Sequence, residues 1–271
     1  MLRKTVLLLV LPLAFVGCDL LDGGIDSIDQ EQLEPLEGGI NFSVREFHPG
    51  YQENVAPEIF LFAATEKIFP CFNYYLHSEI VTLGNTILVA IQGAKKPDIC
   101  LTALGPARMQ EPLELSPGVY HLVWKYRDAT DVYQLEITDT SIVVSGDSGS
   151  FTRPEFHTFW RYPPNSFALV CGTTPEFPTI RDEFVDTLLS VVSLREFQFP
   201  RGGVIPYPTR SSGHYIDLPA RYFYYDTEAD YDRAGEVLRD FSRRRIRPGS
   251  GVSIYLVNWK NRWFRSWHPG G

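Results

Sequence analysis

The sequence is poor in the features that most often announce a chemistry. It has four cysteines in 271 residues, none in a CxxC or Cys/His spacing, which argues against a zinc site. Its six histidines, His48, His77, His121, His157, His214 and His268, are scattered, without an i,i+4 pair on a helix or a carboxylate at metal-ligand spacing. No metal and no cofactor is read from them. Positive charge is in deficit: 25 Lys and Arg against 33 Asp and Glu leave a net charge of −8. As a whole such a chain is a poor match for nucleic acid or for an anionic lipid surface. Long apolar runs are also lacking. The clearest, Thr5–Phe15, is about a dozen residues, where roughly twenty are needed to span a bilayer. No internal repeat relates the two halves of the chain.

What is there begins at the N-terminus. Arg3 and Lys4 precede the apolar stretch, and the small residue Gly17 precedes Cys18. The string Phe15-Val16-Gly17-Cys18 resembles the lipobox of bacterial lipoproteins. That resemblance implies a signal peptide over 1–17, cleavage before Cys18, a diacylglycerol on the Cys18 thiol, and the lipid bilayer as the first partner. Two or three acyl chains hold a protein at a membrane where one does so only marginally. Loss of Arg3 and Lys4 would move the net charge to −10. The implied location is the cell envelope, lipid-anchored to a bacterial membrane, with the leaflet left open. An exported chain meets an oxidising space. With Cys18 acylated, Cys71, Cys100 and Cys171 remain. Cys71–Cys100 is the first choice of disulfide, because both fall in one domain, and Cys100–Cys171 is the alternative. In the first case Cys171 is a buried free thiol.

Residues 18–38 carry Asp22, Asp26, Asp29, Glu31, Glu34 and Glu37 among few apolar residues. They read as an acidic disordered tether. Residues 39–145 read as strands. Ile40/Phe42/Val44, Ile59/Leu61/Ala63, Ile87/Val89/Ile91, Tyr120/Leu122/Trp124 and Tyr133/Leu135/Ile137 all alternate, and Gly84-Asn85 marks a tight hairpin. Short strands at this spacing without a helical period predict a β-sandwich. The arrangement resembles bacterial immunoglobulin-like modules. Residues 146–165, small and polar at first, read as a linker. Residues 166–271 change texture. Thr179 and Thr227 are helix N-caps with an acid three residues on. The order strand, helix, strand, strand, helix, strand is that of ferredoxin-like (βαββαβ) folds. The expected fold class is therefore mainly β plus α+β.

Candidate chemistry is thin. Gly146-Asp147-Ser148-Gly149-Ser150 resembles the nucleophile loop of trypsin-like proteases, and His77, Asp98 and Ser148 follow that family's order. The surroundings of His77 lack the family's context, and one sandwich lacks the two barrels that position such a triad. The string reads as a turn. Arg243-Arg244-Arg245-Ile246-Arg247 reads as a solvated helix C-terminus, where positive charge complements the dipole. Aromatic residues are the better lead. Trp259, Trp263, Trp267 and Tyr224 crowd the last domain, and exposed aromatics stack sugars or anchor proteins. The open face of that sheet and the terminal Trp263–His268 segment are the expected binding surface. Taken together, these features predict a non-enzymatic binding or assembly component of the envelope with a protein or glycan partner. An envelope hydrolase acting on glycans or peptides is the alternative.

Overall fold

The computed structural model describes residues 33–51, 53–146 and 149–267. The signal peptide 1–17, Cys18 and residues 18–32 of the expected tether lie outside the described residues. From Leu33 onward the described chain forms one compact unit.

The alternating residues form strands as their period demands. β1 is Leu33–Glu34, β2 Ile40–Phe47, β3 Glu58–Phe69, β4 Tyr75–Leu83, β5 Thr86–Lys95 and β6 Gly105–Pro112. They continue with β7 Gly118–Tyr126, β8 Ala129–Ile137, β9 Ser141–Ser145, β10 Thr152–Pro154 and β11 Thr158–Trp160. All eleven belong to one mixed sheet, ordered β10-β2-β3-β6-β4-β5-β7-β8-β9-β11 with β1 on β5. Leu83 pairs with Thr86 across Gly84-Asn85, the expected hairpin. The sheet curls on itself. Phe42 of β2 lies 4.9 Å from Trp124 of β7 and 5.0 Å from Tyr133 of β8, although these strands are far apart along the sheet. Ile40, Phe42, Val44, Leu61, Ile87, Val89, Leu122, Trp124 and Leu135 fill the space between, all but fully buried. Cys71 and Cys100 are bonded, and Cys171 is free and buried. Burial pushes the Cys171 thiol up to about 12.

The rest of the described chain is α+β. Its elements are β12 Ser166–Thr173, α1 Ile180–Leu189, β13 Leu194–Phe197, β14 Ile216–Asp217, β15 Arg221–Tyr225, α2 Glu228–Arg245, β16 Ser253–Asn258 and β17 Trp263–Arg265. The sheet order is β13-β15-β12-β16-β17, each neighbouring pair antiparallel. The helices cover one face, where Phe167, Leu169, Cys171, Phe223, Ile254 and Leu256 meet Phe184, Leu188, Leu238 and Phe241. Thr227 caps α2 in a capping box with Asp230. Thr179 sits at the N-cap of α1 without a side-chain cap bond; its backbone is helical, and its hydroxyl donates to Glu183 instead.

Two boundaries differ from the expectation. The tether does not reach to residue 38. Leu33 and Glu34 pair with Lys95 and Ala94 of β5, Tyr74 Oη donates to Glu34 at 2.8 Å, and the Leu36 N–H donates to Tyr126 Oη at 2.9 Å. The 146–165 stretch is no free linker among its described residues. β10 pairs in parallel with β2 and β11 pairs with β9, so this segment joins the two ends of the curled sheet. The physical reason is Asp131 of β8, nearly fully buried. Its carboxylate accepts from the N–H groups of Ser150, Phe151 and Thr152 at 2.6, 3.0 and 2.8 Å, and from the hydroxyls of Ser150 and Thr152 at 2.8 and 2.7 Å. Burial works to raise its pKa, and these bonds outweigh it and hold the group at about 2.

Candidate functional site

The aromatic residues singled out in the sequence do not converge. Tyr224 stands on β15 against Phe197, ring centroids 4.3 Å apart, with the Arg195 guanidinium over it at 4.4 Å. Trp259 is half-buried and structural. Its N–H donates to Ser166 O at 3.0 Å and its indole Nε1 to Tyr225 Oη at 3.1 Å. Trp263 and Trp267 each lie against Tyr255, ring centroids 5.3 and 6.1 Å away. β12 separates this group from Tyr224. The sheet face expected to be open is partly covered. Phe199, Ile205 and Tyr207 pack onto Ala168, Val170, Tyr222 and Val257, and Tyr207 Oη donates to Ser166 O at 2.9 Å. His268 lies outside the described residues.

The better-built feature is the seam between α2 and the edge strand β17. Asn258, fully buried, begins it. Its carboxamide oxygen accepts from the N–H groups of Lys260 and Arg262 at 3.1 and 2.8 Å, which closes the turn after β16. Asn261 takes a left-handed φ of 60° there, a conformation asparagine tolerates. Tyr231 Oη of α2 donates to Arg262 O at 2.7 Å. Burial raises the Tyr231 phenol well above its ordinary value, so it stays a donor. One turn on, Gly235 has no Cβ. A Cβ there would stand 2.6 Å from the Phe264 ring, so glycine is what lets β17 lie against the helix. Ser242 Oγ donates to Ser266 O at 2.9 Å, which fixes the far end.

Along this seam lies a cavity of about 430 Å³. Its lining includes Arg239 and Arg243 of α2, Arg247 beyond it, Arg265 of β17, and Val252 and Trp267. None of the ion pairs among the described residues uses these four arginines. Arg265 lies 4.8 Å from the Trp263 ring. The rest of the arginine run is engaged elsewhere. Arg245 pairs with Glu183 of α1, and Arg244 Nε donates to Asp240 O at 3.1 Å. The hydrogen bonds from Thr179 and Arg245 lower the Glu183 carboxyl from its ordinary value. A second cavity of about 560 Å³ shares Arg239 and Arg265 and adds Trp263, Arg262, Asp232 and Glu236. Both carboxylates are paired, Asp232 with Arg262 at 2.5 Å and Glu236 with Arg233 at 2.6 Å.

Chemically the seam is a cationic groove with aromatic flanks. Unpaired guanidiniums offer forked donors that match carboxylate, sulfate or phosphate oxygens. Arg239 was not among the residues picked from the sequence, although it was legible: it stands four residues before Arg243, on the same helix face. Arg265 lies inside the Trp263–His268 segment expected to bind, but its place beside the arginine run was not legible, because it comes from another element. Of the protease-like trio, His77 lies on β4 and Asp98 in the loop after β5, while Ser148 lies outside the described residues. Among the described residues no group of three or more His, Cys, Asp or Glu side chains is placed to hold a metal ion, and no helix is long and apolar enough to cross a membrane. No family model, curated protein or solved structure matches the chain.

Proposed function

We propose that this chain is a bacterial cell-envelope lipoprotein, anchored to a membrane through acylated Cys18, that binds an acidic glycan along the α2–β17 seam without chemically altering it. The observation that carries the binding half is the set of four arginines around one cavity, none in an ion pair among the described residues, with Trp267 in its lining and Trp263 in that of the adjoining cavity. Guanidiniums meet the acidic groups, and indole rings stack on sugar faces. The anchoring half rests on Arg3, Lys4 and the Phe15–Cys18 string. Hydrolysis would call for a carboxylate free to act as acid or base. The two that line the second cavity are each tied to an arginine, which favours binding over turnover.

Two finer fold assignments belong to the same reading. The α+β half is a ferredoxin-like module. Its four principal strands, β12, β13, β15 and β16, stand in the order fourth, first, third, second, which supports this. The β half is an immunoglobulin-like sandwich with an altered second layer. Its first, second and fifth long strands, β2, β3 and β6, are neighbours as in that fold, whereas β5 meets β7 in parallel.

Titration calorimetry with oligogalacturonate and a neutral cello-oligosaccharide tests the binding. The expected result is binding of the acidic probe only, weakened on the order of tenfold or more by Arg243→Glu with Arg247→Glu and by added salt. Equal response to both probes, or no effect of the charge reversals, overturns it. Mass spectrometry of the membrane-extracted protein tests the anchor. An unmodified Cys18 removes that half of the reading.

A further inference from the structure

The described surface has a second unassigned feature, at the opposite kind of chemistry. At one tip of the curled β-sheet, the loop after β5 and the turn before β4 are clasped together. Cys71 is bonded to Cys100. Asn73 holds both sides of that bond: its Nδ2 donates to Ile99 O at 2.7 Å, and its Oδ1 accepts from the Leu101 N–H at 3.0 Å. The Phe72 N–H donates to Leu101 O at 3.2 Å. So clasped, the tip nevertheless leaves its apolar side chains in solvent. Ile99 is 77%, Leu104 74% and Leu101 53% exposed, with Phe72 at 47% beside them. A clasp of a disulfide and three hydrogen bonds that presents aliphatic side chains outward is the form of an interaction surface.

Two observations point to the occupant. The first is charge. Lys95 and Lys96 lead into the loop, and neither belongs to an ion pair among the described residues; the Arg108 guanidinium stands over the Phe72 ring at 4.6 Å. The exposed Asp98 beside Ile99 offsets one of these three positive charges, so the tip keeps a basic excess; exposed aliphatic groups beside long basic side chains are an arrangement that enters the headgroup boundary of an anionic bilayer. The second is where the chain comes in. Leu33 pairs with Lys95, so the segment from Cys18 joins the fold at the base of this tip. Fifteen residue steps separate Cys18 from Leu33 in the sequence, a span of at most about 50 Å when fully drawn out.

We propose that the tip formed by Ile99, Leu101, Leu104 and Phe72 inserts into the interface of an anionic phospholipid membrane, as a second attachment point beside the lipid on Cys18. The tip then faces the bilayer, and the α2–β17 seam is held in a fixed orientation rather than tumbling on its tether. The orientation rests on the anchor proposed above; the lipid affinity of the tip does not.

The test therefore uses a chain that starts at Asp19. It lacks the leader and any acyl group but retains the whole compact unit that begins at Leu33. Sedimentation with phosphatidylethanolamine–phosphatidylglycerol vesicles should show association, reduced on the order of tenfold by Ile99→Ser, Leu101→Ser and Leu104→Ser together. These side chains are exposed, so the fold is kept, and circular dichroism checks that. A Leu104→Trp variant supplies an independent reading, a blue shift of tryptophan emission on adding the vesicles. The proposal is overturned if the chain ignores the vesicles, or if the triple variant binds them as well as the parent. It is also overturned if light scattering shows a dimer that the triple variant dissolves, because the tip then meets a second copy. Failure of the anchor would appear separately, as an unmodified Cys18 in the full protein.

Discussion

At the scale of single residues, Asp131 turns a run of small polar residues into sheet. Its two oxygens receive three backbone and two hydroxyl donors from residues 150–152. Gly149 stands close enough that a Cβ there would fall 2.1 Å from the carboxylate. With the carboxyl held at about 2, against an ordinary 3.8, the folded state binds its proton more weakly than the unfolded chain. The contribution is therefore complete above pH 4 and lost as pH falls through about 2, roughly 2 kcal/mol in all. Asp131→Asn should lower stability by about 2 kcal/mol at neutral pH, since its amide presents donors where acceptors are needed. Urea denaturation at pH 7 and at pH 3 checks both statements: the variant should lose part of the parent's acid sensitivity. At the seam, Gly235→Ala should act in the opposite direction to helix propensity. Alanine favours a helix by about 1 kcal/mol over glycine, but its methyl would collide with Phe264. The expected outcome is net destabilisation and a weakened response to the acidic probe, read by thermal unfolding and calorimetry.

At the scale of elements, legibility follows the range of the forces. α2 was readable because its determinants are local: Thr227 with Asp230 at the start, Tyr231, Ala234, Val237, Leu238 and Phe241 on one face, three arginines at the end. Thr227→Ala should cost about 1 kcal/mol by removing the cap, measured by equilibrium unfolding. The β4–β5 hairpin was readable for the same reason, with Gly84 at a φ of 57° in its turn. The parallel pairs β10–β2 and β5–β7 were not, since nothing in either strand encodes a partner dozens of residues away. Residues 149–161, within the 146–165 stretch read as a linker, looked so because their partners, Asp131 and the edges of β2 and β9, lie elsewhere in the chain. The cationic seam was half legible. Arg243 and Arg247 stand in the run, but the sequence could not tell them from Arg244 and Arg245, which the structure ties to Asp240 and Glu183. The Cys71–Cys100 bond was the favoured pairing and also clasps the tip. Closing a 29-residue separation contributes about 3–4 kcal/mol in the chain-entropy model. Cys71→Ser with Cys100→Ser should lose about that much, and the tip should exchange its amide hydrogens faster.

At the scale of the whole molecule, the question is whether the two sheets unfold together. The contacts between them centre on Glu46 of β2, which is buried. Its carboxylate accepts from Arg161 Nε and from the Tyr162 N–H, each at 2.7 Å, while Arg161 Nη1 donates to Thr138 O at 2.8 Å. Tyr162 continues the link, donating through Oη to Pro206 O at 2.7 Å and packing on Tyr207 at 4.8 Å. His48 lies 5.0 Å from the Tyr162 ring and within 2.9 Å of Trp259 O, its pKa lowered by burial. Strand β11 extends the link, since the Trp160 N–H donates to Val204 O and the Val204 N–H donates to Thr158 O, each at 2.9 Å. The pair is strong but its burial is costly: desolvation raises the Glu46 carboxyl above its ordinary 4.5 despite the bonds from Tyr162 and Arg161. The folded state thus holds this proton more tightly than the unfolded chain, so this group's share of stability falls as pH rises from 4.5 through the raised value, and is flat above it. Glu46→Ala should cost about 3 kcal/mol at neutral pH, because Arg161 keeps its charge in a poorly hydrated site without a partner. Glu46→Gln should cost less and should abolish the pH dependence just above 4.5. Differential scanning calorimetry gives the decisive reading. The parent should melt in one transition, and Glu46→Ala should separate the melting of the β half from that of the α+β half. A variant that melts in one unbroken transition would show that β11 and the aromatic contacts alone suffice to couple the two sheets.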